Sequence, residues 1–156
     1  MAAISSHPVI MWFTRDLRVH DNRALHAAIA SGAPVVPVYV LDKSAPIGGA
    51  QRWWLHHSLS ALGDALSSIG LKLVLRRGDT NTILRGLISE TYAQGLYCAR
   101  TYEPAAQKLE QDIKQLCTEM DIECHRYTGQ LLFEPERVHT PSGTPYKVFT
   151  PFSKLC

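Results

Sequence analysis

The sequence predicts an α/β protein, and two patterns carry that prediction. Short apolar runs rich in β-branched residues alternate with segments whose apolar residues recur at helical spacing. The connections between the runs are too long for hairpins, which favours right-handed crossovers between parallel strands. We therefore expect a doubly wound five-stranded parallel sheet, Rossmann-like, with strand order 3-2-1-4-5 and helices on both faces.

Five apolar runs are the predicted strands. Three of them are almost entirely apolar, as expected for strands buried on both faces, and the last two are weaker. In chain order they cover residues 9–13, 35–41, 71–75, 96–99 and 122–127. Pro37 lies inside the second strand, where proline cannot donate to the ladder, so we expect a missing bond or a bulge there.

Four helices are predicted between these strands. The second has the clearest stripe, at i, i+4, i+7, i+11 and i+14, and is ended by Gly70. Its apolar members are Leu55, Leu59, Leu62, Leu66 and Ile69. The first helix begins at Asp21 or Asn22, Asp79 is a good N-cap for the third, and Pro104 suits the first turn of the fourth.

Composition and charge exclude several classes of function. The 156 residues are typical of one globular domain, and 16 basic against 14 acidic residues give a charge of +2, too small to bind nucleic acid by bulk charge. We expect neither a signal peptide nor a membrane span, and a cytoplasmic location. Cys98, Cys117, Cys124 and Cys156 lack zinc-site spacing and are expected to be reduced thiols.

The most unusual stretch follows the first strand. Three arginines, two aspartates and one histidine lie between Arg15 and Arg23. In open parallel sheets, ligands bind beyond the carboxyl ends of the strands, where the strand order reverses. For the predicted order, the charged loop and residues 100–103 face the same crevice. We expect ligand binding there.

Familiar catalytic motifs are absent from the sequence. It contains no GxGxxG, no GxxxxGK[ST] and no GxSxG, and no cysteine lies beside an activating histidine. His56 and His57 are adjacent on a helix, so their side chains point about 100° apart and do not chelate one metal. No catalytic residue and no metal ligand is predicted.

Five motifs carry a family resemblance. They are MWFTRDLRVHDNRAL, PVVPVYVLD, LVLRRGD, YEP and GTPYKVFTPF, in that order between residues 9 and 152. Together they resemble the N-terminal domain of the DNA photolyase and cryptochrome family. The resemblance implies an α/β domain over residues 7–128 and an extended segment, 129–156, leading toward a C-terminal helical domain that binds FAD.

The resemblance also implies a function. In a photolyase, reduced FAD in the C-terminal domain repairs pyrimidine dimers in damaged DNA under light. The N-terminal domain holds an antenna chromophore, which is a methenylfolate, a deazaflavin or a flavin. This chain alone is therefore expected not to repair DNA. The alternatives are a cryptochrome photoreceptor with the same two domains and an unrelated nucleotide-binding α/β module.

Five residues are expected at the antenna site, three from the predicted crevice and two, Arg52 and Glu103, from the resemblance. They are Arg15, Asp42, Arg52, Arg100 and Glu103. Each has a plainer alternative. Arg15 and Arg18 could pair with the loop aspartates, Glu103 could cap the fourth helix, Arg52 could be a solvated helix-end charge, and Asp42 could be a turn residue.

The last 29 residues form a segment without a helical stripe. Its apolar residues predict an exposed apolar surface, with self-association or poor order. They are Leu131, Leu132, Phe133, Tyr146, Val148, Phe149 and Phe152. Trp12, Trp53 and Trp54 are interpreted as core or interface residues and not as an electron relay.

Overall fold

The structure, a computed structural model, describes residues 7–44 and 47–156 and contains one parallel sheet of five strands in the order β3-β2-β1-β4-β5. The elements in chain order are β1 (Val9–Phe13), α1 (Arg23–Ala30), β2 (Val35–Asp42), α2 (Gly49–Ser68), β3 (Val74–Gly78), α3 (Thr80–Thr91), β4 (Gly95–Ala99), α4 (Pro104–Glu119), β5 (Glu123–Tyr127) and α5 (Phe149–Leu155). The predicted fold class and strand order are confirmed. The N-terminal stretch considered for a signal peptide lies partly outside the described residues.

The core consists of two apolar clusters, one on each face of the sheet, and β1 contributes alternate side chains to both. One cluster lies beneath α3 and α4 and includes Ile10, Trp12, Val38, Leu96 and Ile113. The other lies beneath α1 and α2 and includes Val9, Met11, Phe13, Leu25 and Leu66. All five residues of β1 are buried, because this central strand is covered on both faces.

Of the two expectations at Pro37, a missing ladder bond or a bulge, only the bulge is wrong. The register of β2 against β1 runs without interruption from Val35 to Tyr39, with Pro37 opposite Met11. Pairing of β2 with β3 begins only at Val38. Pro37 therefore precedes the β3 ladder, and its missing donor is tolerated as at a sheet edge.

The third strand was placed three residues too early by the sequence. Residues 70 and 71 belong to the end of α2, since Gly70 has a φ of +80° and the Leu71 amide donates to the Leu66 carbonyl at 2.9 Å. The strand is Val74–Gly78, on the edge of the sheet, where Leu75 is 52% exposed. The prediction of burial on both faces is wrong for β3. The other strand ends differ from prediction by at most one residue.

Helix boundaries follow the predicted caps in most places. The Asn22 side chain accepts from the Leu25 amide at 3.0 Å, and the Asp79 carboxylate accepts from the Thr82 amide at 2.8 Å. Helix α4 begins with Pro104, as predicted. Glu103 occupies its N-cap position, but its side chain makes no cap hydrogen bond.

The C-terminal segment, residues 129–156, is more regular than predicted. It contains a short 3-10 helix at Pro135–Arg137 as well as α5, because local turns satisfy some of its backbone groups. Its predicted apolar exposure is confirmed, except that Tyr146 is half-buried. The exposed side chains are Leu131, Leu132, Phe133, Val148, Phe149, Phe152 and Leu155. Self-association stays a prediction. Among the described helices, none has both the length and the apolar character needed to cross a membrane.

Candidate functional site

The candidate site is the carboxyl edge of the sheet together with the start of α2. Arg15 follows β1, Arg100 and Glu103 follow β4, and Asp42 ends β2. Arg52 lies in the first turn of α2. The structure brings Arg15 and Glu103 into direct contact, whereas each of the other three is engaged in separate interactions.

The charged loop after β1 is organised around a buried carboxylate. Asp16 is only 2% exposed and accepts from the Thr14 amide at 3.1 Å and from the Asn22 side-chain amide at 3.0 Å. Asn22 also caps α1. Because a buried charge is costly unless hydrogen-bonded, Asp16 is a structural anchor that fixes the loop to the first helix.

Arg18 stabilises the loop, which was one of the roles considered from the sequence, but it does so by donating to backbone carbonyls. Its guanidinium donates to the Asp21 carbonyl at 3.1 Å and to the Gly129 carbonyl at 3.0 Å. The predicted pairing of Arg18 with aspartate side chains is wrong, since the Asp16 carboxylate is turned inward. Arg18 thus ties the β1 loop to the start of the C-terminal segment. A Cβ at Gly129 would lie 2.9 Å from the Cβ of Ala99, so the crossing requires glycine.

Arg15 and Glu103 form an ion pair that joins the loops after β1 and β4. The side chains are 61% and 48% exposed, so water screens their attraction. Glu103 therefore pairs across the crevice and makes no side-chain cap hydrogen bond to α4, while its contact with the antenna stays a prediction. Both groups stay accessible to a polar ligand.

Arg100 holds the C-terminal segment against the end of β4. Its guanidinium donates to Glu134 and to Glu136, each at 2.6 Å, and the Tyr102 hydroxyl donates to Glu134 at 2.9 Å. Partial burial and the bond to Glu134 raise the pKa of Tyr102 to about 12. The hydrogen bond to Glu136 raises the pKa of Arg100. This arrangement leaves Arg100 occupied by protein carboxylates.

The sequence reasoning missed one buried acid, Glu110. It is 6% exposed on α4, and its carboxylate accepts from the Thr101 amide at 2.9 Å, from the Thr101 hydroxyl at 3.1 Å and from Arg126. It therefore connects the loop after β4 to α4 and β5. The available signal was its position in the apolar stripe, four residues after Ala106 and three before Ile113.

Asp42 is the turn residue that the sequence offered as its alternative role. It accepts from the Ser44 amide at 2.7 Å and from the Thr80 amide at 3.1 Å, and it also contacts both hydroxyls. Partial burial opposes ionisation, but these four hydrogen bonds prevail and lower the pKa of Asp42 to about 2. It joins the end of β2 to the start of α3. A chromophore contact for Asp42 stays a prediction.

An apolar cavity of about 270 Å³ lies between α2 and the β2–β3 part of the sheet. Its lining residues are Tyr39, Leu41, Leu59, Leu75, Arg76 and Arg77. Both arginines are exposed. The cavity exists because the N-terminal half of α2 buries no residue. The buried residues of this helix, Leu62 and Leu66, are in its C-terminal half.

The N-terminal half of α2 exposes aromatic side chains. Trp53 is 63% exposed and Trp54 69% exposed, so the core interpretation is wrong for these two and correct for Trp12, at 5%. The Trp53 and His57 rings pack edge to face at 4.4 Å. The Nε of neighbouring Arg52 donates to the Ile47 carbonyl at 3.1 Å. An exposed tryptophan offers an apolar face suited to a planar aromatic ligand.

The part of the chain that the structure describes contains no candidate metal centre. No group of three or more histidine, cysteine, aspartate or glutamate side chains there is arranged to hold an ion. His56 and His57 are both exposed.

The doubly wound sheet, with its loops gathered at the carboxyl edge, defines an α/β domain of Rossmann-like topology. The family model for DNA photolyase matches residues 9–156. This chain therefore belongs to the DNA photolyase family, and the alternative of an unrelated nucleotide-binding module is overturned.

Individual relatives place the chain within that family. It is 49% identical to a deoxyribodipyrimidine photo-lyase of Agrobacterium fabrum over 96% of this chain and 32% of that protein. It is 33% identical to cryptochrome-1 of Arabidopsis thaliana over 94% of this chain and 22% of that protein. The crystal structure of a class III photolyase from Agrobacterium tumefaciens matches 99% of this chain and 32% of its own, with a TM-score of 0.91 and 48% identity. The chain thus spans about a third of the photolyases it matches.

Proposed function

We propose that this chain is the antenna-binding part of a deoxyribodipyrimidine photolyase, which repairs pyrimidine dimers in DNA under light. The observation that carries the proposal is the 49% identity to a photolyase, against 33% to cryptochrome-1. The relatives are longer, which supports a C-terminal helical domain that carries FAD and meets the damaged DNA. A cryptochrome is the second candidate.

The C-terminal segment supports that domain arrangement. Leu132 is 95% exposed and Phe149 is 77% exposed, although Arg100 and Arg18 fix the beginning of the segment to the sheet. A fixed segment that presents apolar side chains to water is suited to docking. We assign this surface to the C-terminal domain, and we expect the isolated chain to self-associate through it.

We place the antenna on the α2 side of the site. Trp53 and Trp54 offer flat apolar faces for stacking, and Arg52, Arg76 and Arg77 supply positive charge for carboxylates or phosphates. The apolar cavity excludes water from one side of the ligand. These residues fit a methenylfolate, a deazaflavin or a flavin, because each has a planar ring, and a folate or a phosphorylated flavin adds an anionic tail.

The bound antenna supplies light absorption and transfer of excitation to FAD. The protein residues supply position: one of the two tryptophans, whose side chains point about 100° apart on the helix, fixes the plane of the ring, and the arginines fix its tail. Of the five residues predicted from sequence, Arg52 belongs to this surface. We propose that Arg15, Asp42, Arg100 and Glu103 shape the neighbouring loops, as their protein partners indicate. Direct contact of these four with the chromophore stays a prediction.

Absorption spectroscopy tests the antenna proposal. Freshly purified protein is expected to show a band near ~380 nm for a folate or ~440 nm for a deazaflavin. Replacing both Trp53 and Trp54 by alanine should lower chromophore retention at least about tenfold, because each stacking contact contributes about 1 kcal/mol. Ile29→Ala is the matched control, since Ile29 is an exposed apolar residue on α1, at 45%. Equal retention in both variants would contradict the placement.

A repair assay separates photolyase from cryptochrome. The full-length protein is illuminated with a dimer-containing oligonucleotide under reducing conditions, and restored pyrimidines are measured against a dark control. We expect light-dependent repair by the full-length protein and none by the present chain, with or without added FAD. A flavin-loaded full-length protein without repair would favour the cryptochrome. Repair by the present chain would contradict the division of labour between domains.

A further inference from the structure

Three cysteines come together where β4, β5 and α4 meet. Cys98 of β4 and Cys124 of β5 lie on the same face, because the register pairs Leu96 with Cys124 and Cys98 with Arg126. Cys117 reaches this face from α4. Cys98 and Cys117 are each 1% exposed in the core, and Cys124 packs against that cluster. All three thiols are free.

Cys124 is where the thiol cluster meets solvent. It is partly exposed and lines an open cavity of about 510 Å³. The other lining residues are Arg100, His125, Arg126 and Tyr127. The cavity is large enough to admit a small molecule. Arg126 and His125 follow Cys124 in β5, and each also pairs with a carboxylate, Glu110 and Glu123 respectively.

The cluster concentrates negative charge on one sulfur. Interactions with the Cys117 and Cys98 thiols lower the pKa of Cys124; burial opposes this, and Arg126 and His125 add to the lowering. The same interaction with Cys124, together with burial, raises the pKa of Cys117. The thiol whose ionisation the cluster favours is thus also the member that a small molecule can reach.

We propose that Cys124 is a site of reversible oxidation by hydroperoxides, and that Cys117 is the thiol that resolves the oxidised sulfur. The Cys124 thiolate attacks one oxygen of the peroxide, so that an S–O bond forms, the O–O bond breaks and the departing oxygen leaves as water or an alcohol after protonation. Sulfur is oxidised by two electrons and the peroxide is reduced. Cys117 then attacks the sulfenic sulfur, an S–S bond forms, and the hydroxyl leaves as water with the Cys117 proton.

This site is independent of the proposed antenna and repair functions. It lies on β5, at the opposite edge of the sheet from β3 and the α2 cavity. Cys156 provides an internal standard, because it is exposed at the end of the chain and lies outside the cluster. A reactivity that depended on exposure alone would favour Cys156.

Mass spectrometry of the unmodified protein tests the proposal. Reduced protein is treated with hydrogen peroxide near pH 6 in the presence of dimedone, which traps sulfenic acids. Cleavage after glutamates then places the four cysteines on separate peptides. We expect Cys124 to be labelled about tenfold faster than Cys156, since the thiolate is the reactive form. Labelling of Cys156 at an equal or higher rate would overturn the site.

The resolving role has its own test. Without dimedone, the peptides that carry Cys117 and Cys124 should become linked and should separate on reduction. In Cys117→Ser, the dimedone label on Cys124 should rise severalfold, because the sulfenic acid persists. A link from Cys124 to Cys98, or a label on Cys124 without any link, would overturn the assignment of Cys117. The peptide-linkage measurement needs no variant and therefore holds even where Cys117→Ser fails to fold.

Discussion

The two halves of the carboxyl edge of the sheet differ in how their side chains are satisfied. Beyond β1, β4 and β5, carboxylates and arginines bind one another: Arg15 with Glu103, Arg100 with Glu134, and Arg126 with Glu110. Beneath α2, beside β2 and β3, lies an apolar cavity, and the N-terminal half of α2 exposes two tryptophans. A charge-rich motif can therefore hold the loops around a site in position, and we call such residues the frame of the site. The ligand surface lies where apolar side chains are exposed.

Energetics explain why the charged half is a frame. Asp16 and Glu110 are 2% and 6% exposed, and a buried carboxylate is tolerated only when its oxygens are hydrogen-bonded. Each accepts from backbone or side-chain donors of a neighbouring loop. Using them to bind a ligand would break those bonds. A ligand that covers the exposed tryptophans breaks no hydrogen bond of that kind.

The largest expected effect in this comparison is that of Glu110→Ala. The change leaves Arg126 and the Thr101 amide without their acceptor, so we expect the free energy of unfolding to fall by about 3 kcal/mol. Urea denaturation measures it. Glu119→Ala is the matched control on the same helix, where the carboxylate is exposed. Similar unfolding midpoints for the two variants would show that the charged half is not braced by Glu110.

Arg100→Met should have the next largest effect, and a local one. Glu134, whose side chain is 14% exposed, loses its charged partner, so the start of the C-terminal segment should open more often. We expect amide exchange over residues 129–137 to become about tenfold faster, with little change in the sheet. Arg85→Met is the control, since Arg85 forms an exposed ion pair with Glu119. Unchanged exchange would remove Arg100 as the holder of the segment.

The fold could be predicted because it is determined by patterns that the sequence displays. Apolar runs, helical stripes and caps such as Asn22, Asp79 and Pro104 are local signals. The misplacement of the third strand has an identifiable cause. Burial of Leu71 was interpreted as strand pairing, although the residue packs on the core from the end of α2. An apolar pattern indicates burial but does not reveal which backbone groups are paired.

The site was less predictable because it depends on pairings between distant residues. The sequence placed Arg15 and Glu103 in one crevice, where they form an ion pair, but it did not reveal that Glu134 and Glu136 occupy Arg100. Those partners lie more than thirty residues away along the chain. The α2 tryptophans are exposed because only the C-terminal half of this helix packs on the sheet. The apolar stripe of α2 does not reveal this difference between its two halves.

Asp42 lies in the half of the edge that contains the cavity, yet its carboxylate accepts hydrogen bonds as the carboxylates of the charged half do. Asp42→Ala should cost about 1 kcal/mol at neutral pH, like the loss of a cap. Its pKa is lowered from 3.8 to about 2, so its ionised form stabilises the fold above about pH 4, and this contribution is lost as the pH falls toward 2. Asp42→Asn is the matched control that does not titrate. Urea denaturation of the three proteins between neutral pH and about pH 2 measures this; a stability gap to Asp42→Asn that stays constant contradicts it.

The smallest expected effect is that of the Arg15–Glu103 pair, and it decides where the frame ends. The side chains are 61% and 48% exposed, so after screening by water a double-mutant cycle should give a coupling of less than about 0.5 kcal/mol. Glu103 makes no side-chain cap hydrogen bond to α4, so Glu103→Ala should not show the loss of about 1 kcal/mol typical of a cap. If Glu103 belongs to the frame, chromophore retention in Glu103→Ala should stay within about twofold, whereas a charge-assisted bond to the ring would make the loss about tenfold. A tenfold loss would extend the ligand surface across the sheet to β4 and restore the sequence-based assignment of Glu103.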